Sequence, residues 1–198
     1  MSGFRNRFVF PDNVWEEAAR KLDGEFVKGR WLANSEIKLL HRGYPITLGV
    51  RFGSGEDSNQ YTKAILGASL RPQIRFVLYP KIKGVIGGLT SGLLSRTGKG
   101  IDLPGLEDKY SLIGGDPELA NRLFGHHDFV AALDAVSQDP TVVVGRTLGN
   151  WANDPAEKDE EDFCVSVREV CKDLHQLIAI TELAKVLLDL LEESNCLE

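Results

Sequence analysis

The stretch YPITLGVRF at residues 44–52 decides the fold, because it holds the most regular alternation of side chains in the chain. An apolar residue stands at every second position from Tyr44 to Phe52. A period of two is typical of a strand with one buried face. We therefore predict that Ile46, Leu48 and Val50 lie on the buried face of a sheet, together with Phe76.

Further strand patterns surround this stretch. Residues 36–41 alternate in the same way, and Arg42-Gly43 predicts a tight turn between the two strands. Other segments with strand patterns are residues 26–32, 61–70, 73–79, 109–113 and 141–148. Short connections make neighbouring strands antiparallel, so the first five strands are predicted to form a meander.

Helix signals stand at both ends and near the middle of the chain. Residues 13–22 are predicted to form an amphipathic helix capped by Asp12, and Asp116-Pro117-Glu118 is a typical helix start. Asp128 is predicted to cap a second short helix over residues 129–136. From Phe163 onward, apolar residues follow four-three spacing, which predicts a helix of about thirty residues, about 45 Å long.

Together these elements predict a single α+β domain over residues 1–198. Its antiparallel sheet has about six or seven strands, with the long C-terminal helix across one face and shorter helices at the edges. Residues 84–100, rich in glycine, are predicted to form a mobile loop. Residues 149–162 are predicted to form an acidic connector to the last helix.

The last helix carries a second apolar stripe in its C-terminal half, formed by Ile180, Leu183, Leu187 and Leu190. One stripe can pack on the sheet, so the second needs another partner. That partner is either the shorter helices of the same chain or the same helix of a second chain. We slightly favour a homodimer through these four residues, because isologous helix contacts are a common route to dimers.

Charge is distributed unevenly along the chain. Residues 58–101 contain no Asp or Glu and seven basic residues, whereas residues 102–198 contain 21 acids and seven bases. A cationic region on an acidic molecule favours anionic partners. The candidate anion-binding patch consists of Arg71, Arg75, Lys81, Lys83, Arg96 and Lys99. The net charge of −6 argues against nucleic acid as a partner of the whole molecule.

Catalytic, cofactor and metal motifs give no positive assignment. Residues 92–100 read GLLSRTGKG, but the spacing of a P-loop is missed by one residue, and Gly100 replaces the required Ser or Thr. His126-His127-Asp128 suggests a metal site. However, adjacent histidines on a helix point about 100° apart, so a polar helix junction is favoured. We predict no cofactor, no metal and no catalytic residue.

The three cysteines favour a reduced, cytoplasmic setting. Cys164 and Cys171, placed two turns apart on the predicted helix, are beyond disulfide reach and are expected to be buried structural thiols. No apolar run approaches the length of a membrane span. A position at the periphery of a membrane stays open, because the basic segment also carries apolar residues.

The order of elements resembles a family of uncharacterised bacterial proteins of similar length. The resemblance is carried by the meander up to Tyr61-Thr62, then Gly114 to Pro117, Leu123-Phe124, the valine-rich strand and the C-terminal helix. It implies no activity and no functional residue. Three hypotheses follow: a non-catalytic binding or assembly module, which is favoured, a peripheral binder of anionic membrane or phosphate ligands through residues 58–101, and an enzyme of unrecognised type.

Overall fold

A computed structural model describes residues 11–29, 34–52, 60–71, 74–81, 106, 108–114, 117–145 and 163–198. Its four helices are α1 (Asp12–Lys21), α2 (Pro117–Phe124), α3 (His127–Ala135) and α4 (Leu174–Glu193). Its strands are β1 (Glu25–Val27), β2 (Glu36–His41), β3 (Tyr44–Phe52), β4 (Gln60–Leu66), β5 (Phe76–Pro80), β6 (Tyr110–Ile113), β7 (Thr141–Val144) and β8 (Phe163–Val167). The predicted mobile loop at 84–100 and acidic connector at 149–162 lie outside the described residues.

All eight strands form one antiparallel sheet in the order β1-β2-β3-β4-β8-β7-β5-β6. The predicted α+β class is confirmed, with slightly more strands than expected. The β2–β3 hairpin turns at Arg42 and Gly43, whose φ angles are 51° and 89°. Two consecutive positive φ values are typical of the turn that matches the twist of antiparallel strands, so the predicted turn is also confirmed.

The predicted meander is correct from β1 to β4 and wrong at the next strand. β4 pairs with β8 and β5 pairs with β7, so two strands separate β4 from β5. The reason lies in β8, whose five residues are all buried. A strand that is buried on both faces is stable in the interior of a sheet, so β8 takes the place beside β4 that sequence order suggested for β5.

The long predicted helix is also corrected, because residues 163–167 form strand β8 and the helix begins only at Leu174. The spacing of Phe163 and Val167 fits a strand face as well as a helix face, and Val165 completes that strand face. Asp173 caps the helix, its Oδ1 accepting a hydrogen bond from the N–H of Gln176 at 2.9 Å. The helix has 20 residues and is about 30 Å long.

The four helices of the described residues form one layer on one face of the sheet, here called the inner face. α4 packs on β4 and β8, and the other three helices each contact α4. α1 also packs on the edge strands β1 and β2. Trp15 of α1 is buried and donates its indole N–H to the carbonyl of Cys171 at 3.0 Å, which fixes α1 to the segment before α4.

The inner face of the sheet supplies the core as predicted. Ile46, Leu48, Val50 and Phe76 are all buried, and they pack in one hydrophobic cluster with α4. The intervening residue Thr47 is only partly buried on the opposite face. The period-two pattern of residues 44–52 therefore identified both the strand and its buried side.

The second apolar stripe of α4 is covered within the chain itself. Ile180, Leu183 and Leu187 have no exposed surface and Leu190 keeps 7%. α4 is enclosed by the sheet on one side and by α1, α2 and α3 on the others. Because the chain itself buries these four residues, their apolar character no longer requires a second chain. The homodimer stays a prediction.

Two predicted helix caps are replaced by other residues. α1 has Pro11 at its N-cap, and no side chain caps it. Asp12 instead accepts a hydrogen bond from Ser35 at 2.8 Å and pairs with Lys28 at 3.1 Å. Burial would raise the pKa of the Asp12 carboxyl, but these two partners outweigh it and lower the pKa.

The N-cap of α3 is His126 rather than Asp128. The Nδ1 atom of His126 accepts a hydrogen bond from the N–H of Asp128 at 3.4 Å. Asp128 lies in the first turn, where a carboxylate favours the positive end of the helix dipole.

The core assignment leads to a stability test. Leu48→Ala removes a side chain with no exposed surface, so the free energy of unfolding should fall by about 2–5 kcal/mol in a denaturant titration. Thr47→Ala, on the other face of the same strand, is the matched control and should cost less than about 1 kcal/mol. Equal losses for the two variants would contradict the assignment of the faces.

The covered stripe of α4 leads to a second test. Leu187→Lys places a charge in a site with no exposed surface, so thermal unfolding should shift to much lower temperature. Sedimentation should show no conversion of a dimer into a folded monomer. Glu193→Lys, at an exposed position of the same helix, should leave both measurements unchanged. A dimeric wild type converted by Leu187→Lys into a stable, folded monomer would show that the stripe is an interface.

Candidate functional site

The predicted anion-binding patch does not form one cluster among its described members. Arg75 precedes β5 and Lys81 follows it, which separates them by about 20 Å along the strand. Arg71 lies beside the C-terminal tail, where its backbone N–H donates to the carbonyl of Cys196 at 3.0 Å. The other members, Lys83, Arg96 and Lys99, lie outside the described residues.

Two arginines, Arg71 and Arg122, act electrostatically on the thiol of Cys196. Burial raises the pKa of the Cys196 thiol, and the positive charges of Arg122 and Arg71 partly offset that effect. Both guanidinium groups therefore act on the same point of the tail. Arg122 belongs to α2, far from Arg71 in sequence, and no local pattern in the sequence joins the two.

The sheet face opposite the helices, here called the outer face, has an apolar centre. Ile65, Cys164, Val143 and Val77 stand in register across β4, β8, β7 and β5. Among the described residues, no helix packs against this row. Cys164 is buried, and the other three residues are partly buried.

Cations surround the apolar centre of the outer face. Lys38 of β2 is in register with Thr47, and Thr47 is in register with Ile65. Lys63 of β4 lies two residues from Ile65 on the same face, and Arg75 lies two residues from Val77. Lys63 and Arg75 already interact within the chain, as does Arg51 through Glu36 at 2.9 Å.

One corner of the outer face exposes a large apolar side chain. Leu40 lies two residues from Lys38 on β2 and exposes 73% of its surface. It stands opposite Pro45, which is also exposed. This corner, formed by Lys38, Leu40 and Pro45, is here called the β2 corner. A single exposed leucine is ordinary, but this one adjoins an exposed lysine on a cationic face.

A polar cluster joins the β2–β3 turn to the end of α4. Asp189 Oδ1 contacts His41 Nε2 at 2.7 Å and Arg42 Nε at 2.8 Å, and Arg42 also pairs with Glu192 at 3.1 Å. His41 at the end of β2 and Arg42 in the turn meet two carboxylates one helical turn apart on α4. The arrangement fixes the hairpin against the helix, and a structural role accounts for all four groups.

The cysteines have the surroundings of structural residues. Cys164, Cys171 and Cys196 are all reduced and buried. Burial raises the pKa of the Cys171 thiol to about 11, the hydrogen bond with Thr62 lowering it only in part. Thr62 also accepts the N–H of Cys171 at 2.9 Å and donates to the carbonyl of Glu169 at 2.7 Å. This cluster holds the segment between β8 and α4.

The rings of the two adjacent histidines lie close together, whereas the sequence predicts that they point apart. The ring centroids of His126 and His127 are 4.8 Å apart and the rings are tilted by 36°. His127 Nε2 contacts Asp128 Oδ1 at 2.8 Å, and His126 Nδ1 lies 3.7 Å from Asp128 Oδ2. An offset of 100° applies only where both residues are helical, whereas His126 has an extended backbone with ψ of 133°.

Comparisons with family models, with curated proteins and with solved structures give no match to this chain. The resemblance to uncharacterised bacterial proteins therefore stays an expectation. Within the part of the chain that the structure describes, none of the helices combines the length and apolar character needed to cross a membrane.

The state of the cysteines is testable by thiol reactivity. Because all three are buried and the pKa of Cys171 is about 11, Ellman's reagent at pH 8 should react with the native protein much more slowly than with free cysteine. In denaturant all three thiols should react at once. A native thiol that reacts at neutral pH as fast as free cysteine, or faster, would contradict the structural assignment and favour a nucleophile.

Proposed function

We propose that the protein is a non-catalytic binding module that docks at the periphery of an anionic phospholipid surface through the outer face of its sheet. The observation that carries this proposal is the β2 corner, where Leu40 exposes 73% of its surface beside the exposed Lys38. An apolar side chain that enters the headgroup region and a cation that meets phosphate are the two contributions that interfacial binding combines.

The uneven distribution of charge favours one orientation of the protein at an anionic surface. The chain has a net charge of −6, while the outer face carries Lys38, Arg51 and Lys63 on its described strands and Arg75 just before β5. These four cations outnumber the two carboxylates on the described strands of the same face, Glu25 and Glu36. A negative surface repels the molecule as a whole and attracts this face, so docking is oriented. Because Lys63, Arg75 and Arg51 already interact within the chain, a lipid headgroup has to compete for them.

The proposal places the protein in the cytoplasm, on the leaflet that carries anionic lipid. Each lysine or arginine near such a surface contributes about 1 kcal/mol, so a few exposed cations with one apolar anchor give weak, salt-sensitive binding. Reversible docking is the mode expected for a binding or assembly module. Two of the basic residues, Lys63 and Arg75, come from the acid-free segment at residues 58–101.

Cosedimentation with vesicles tests the proposal. Vesicles containing phosphatidylserine should bind the wild type at low salt, should release it at 0.5 M salt, and should bind it better than neutral vesicles do. Lys38→Gln should weaken binding about fivefold, because it removes about 1 kcal/mol. Leu40→Ser should weaken it at least as much. Both positions are exposed, so the fold should be unaffected.

Lys21→Gln is the matched control. Lys21 is exposed, as Lys38 is, but it belongs to α1 in the helical layer, so vesicle binding should not change.

Excess inorganic phosphate distinguishes a lipid headgroup from a soluble phosphate compound as the ligand. Persistence of the vesicle complex supports a lipid surface, whereas complete release at matched ionic strength points to a soluble phosphate ligand. Equal binding to neutral vesicles, or an equal loss with Lys21→Gln, would overturn the proposal.

A further inference from the structure

A set of metal-ligating atoms lies at the beginning of α3, apart from the outer face of the sheet. One ligand atom from each of His126, His127 and Asp128 can be chosen so that all three lie within 4.8 Å of one another. The closest pair is His127 Nε2 and Asp128 Oδ1, at 2.8 Å. Two imidazole nitrogens and one carboxylate oxygen form a donor set that Zn²⁺ and related transition metals prefer.

The backbone at the start of α3 explains how three consecutive residues converge. His126 is the N-cap, with φ of −68° and ψ of 133°, so its side chain leaves the chain before the helical rotation begins. His127 and Asp128 occupy the first turn. The extended cap brings the ring of His126 to a centroid distance of 4.8 Å from that of His127.

The separations of the ligand atoms are close to those required around a single ion. Zn–N bonds of about 2.0–2.1 Å in a tetrahedron place neighbouring ligand atoms about 3.3 Å apart. His127 Nε2 lies 2.8 Å from Asp128 Oδ1 and His126 Nδ1 lies 3.7 Å from the other carboxylate oxygen, so the carboxylate has to turn for one oxygen to face both nitrogens. His127 exposes 84% of its side chain, so a small rotation adjusts its nitrogen at little cost.

We propose that His126, His127 and Asp128 form a surface site for a divalent transition metal such as Zn²⁺, with water completing the coordination. The positive end of the α3 dipole opposes a cation, and the carboxylate of Asp128 offsets this opposition, so the affinity is moderate. His126 Nδ1 accepts the N–H of Asp128 at 3.4 Å, a long hydrogen bond that this nitrogen gives up when it binds the ion. The site is independent of docking through the outer face.

Calorimetric titration of the chelator-treated protein with ZnCl₂ tests the proposal. The wild type should bind one ion per chain, and MgCl₂ should give no binding, because Mg²⁺ prefers oxygen ligands. His127→Ala and Asp128→Asn should each weaken Zn²⁺ binding by about tenfold or more. Both side chains are exposed, and circular dichroism should show that each variant stays folded.

His175→Ala is the matched control. His175 is also exposed at the beginning of a helix beside an aspartate, with Nδ1 at 4.0 Å from Asp173, but no second histidine adjoins it. This variant should bind Zn²⁺ as the wild type does. Absence of Zn²⁺ binding by the wild type, unchanged affinity in His127→Ala, or an equal loss in His175→Ala would each overturn the assignment.

Discussion

The arrangement of the molecule depends on the pairing of β8 with both β4 and β7. β8 is the strand whose residues are all buried, and it joins the β1–β4 meander to the unit of β5, β6 and β7. On the side of β4, its partner residues are distant in sequence, because Ile65 pairs with Cys164. Contacts of such long range cost loop-closure entropy and are typical of slowly folding sheets.

The position of α4 follows from that pairing. Only a short segment separates β8 from α4, and the hydroxyl of Thr62 and the indole of Trp15 hold it by hydrogen bonds to Glu169 and Cys171. The helix is thereby directed onto the inner face, where α1, α2 and α3 cover the rest of its surface. The helices of the described residues gather on one side of the sheet, and on its other side the described strands carry Lys38, Arg51 and Lys63.

The sequence predicted the local elements well and the long-range ones poorly. The β2–β3 hairpin was predictable because Arg42-Gly43 and the alternation on either side act within a few residues. The position of β5 was not, because nothing near Phe76 specifies that Val144 rather than Leu66 is its neighbour. Local pattern constrains the type of an element, whereas its partner is selected by the whole core.

Residues 163–167 show how a periodicity argument fails. Positions four apart share a face in both a helix and a strand, so Phe163 and Val167 satisfied either assignment. The distinguishing signal was the cap: Asp173 followed three residues later by Gln176 marks where the helix begins. Valine at 165 and 167 also favours a strand, because branched side chains pack well on a pleated surface.

A site depends on side-chain directions and not only on element types, so it is harder to predict from sequence than the fold is. The acid-free segment predicted a cationic surface, yet the corner that carries the docking proposal comes from Lys38 and Leu40, outside that segment. They share a face with Lys63 only because β2, β3 and β4 pair in register. A regular helix would point His126 and His127 about 100° apart, and one extended residue at the cap is enough to bring their rings together. A boundary error of one residue is negligible for the fold, but it reverses the conclusion about which atoms converge.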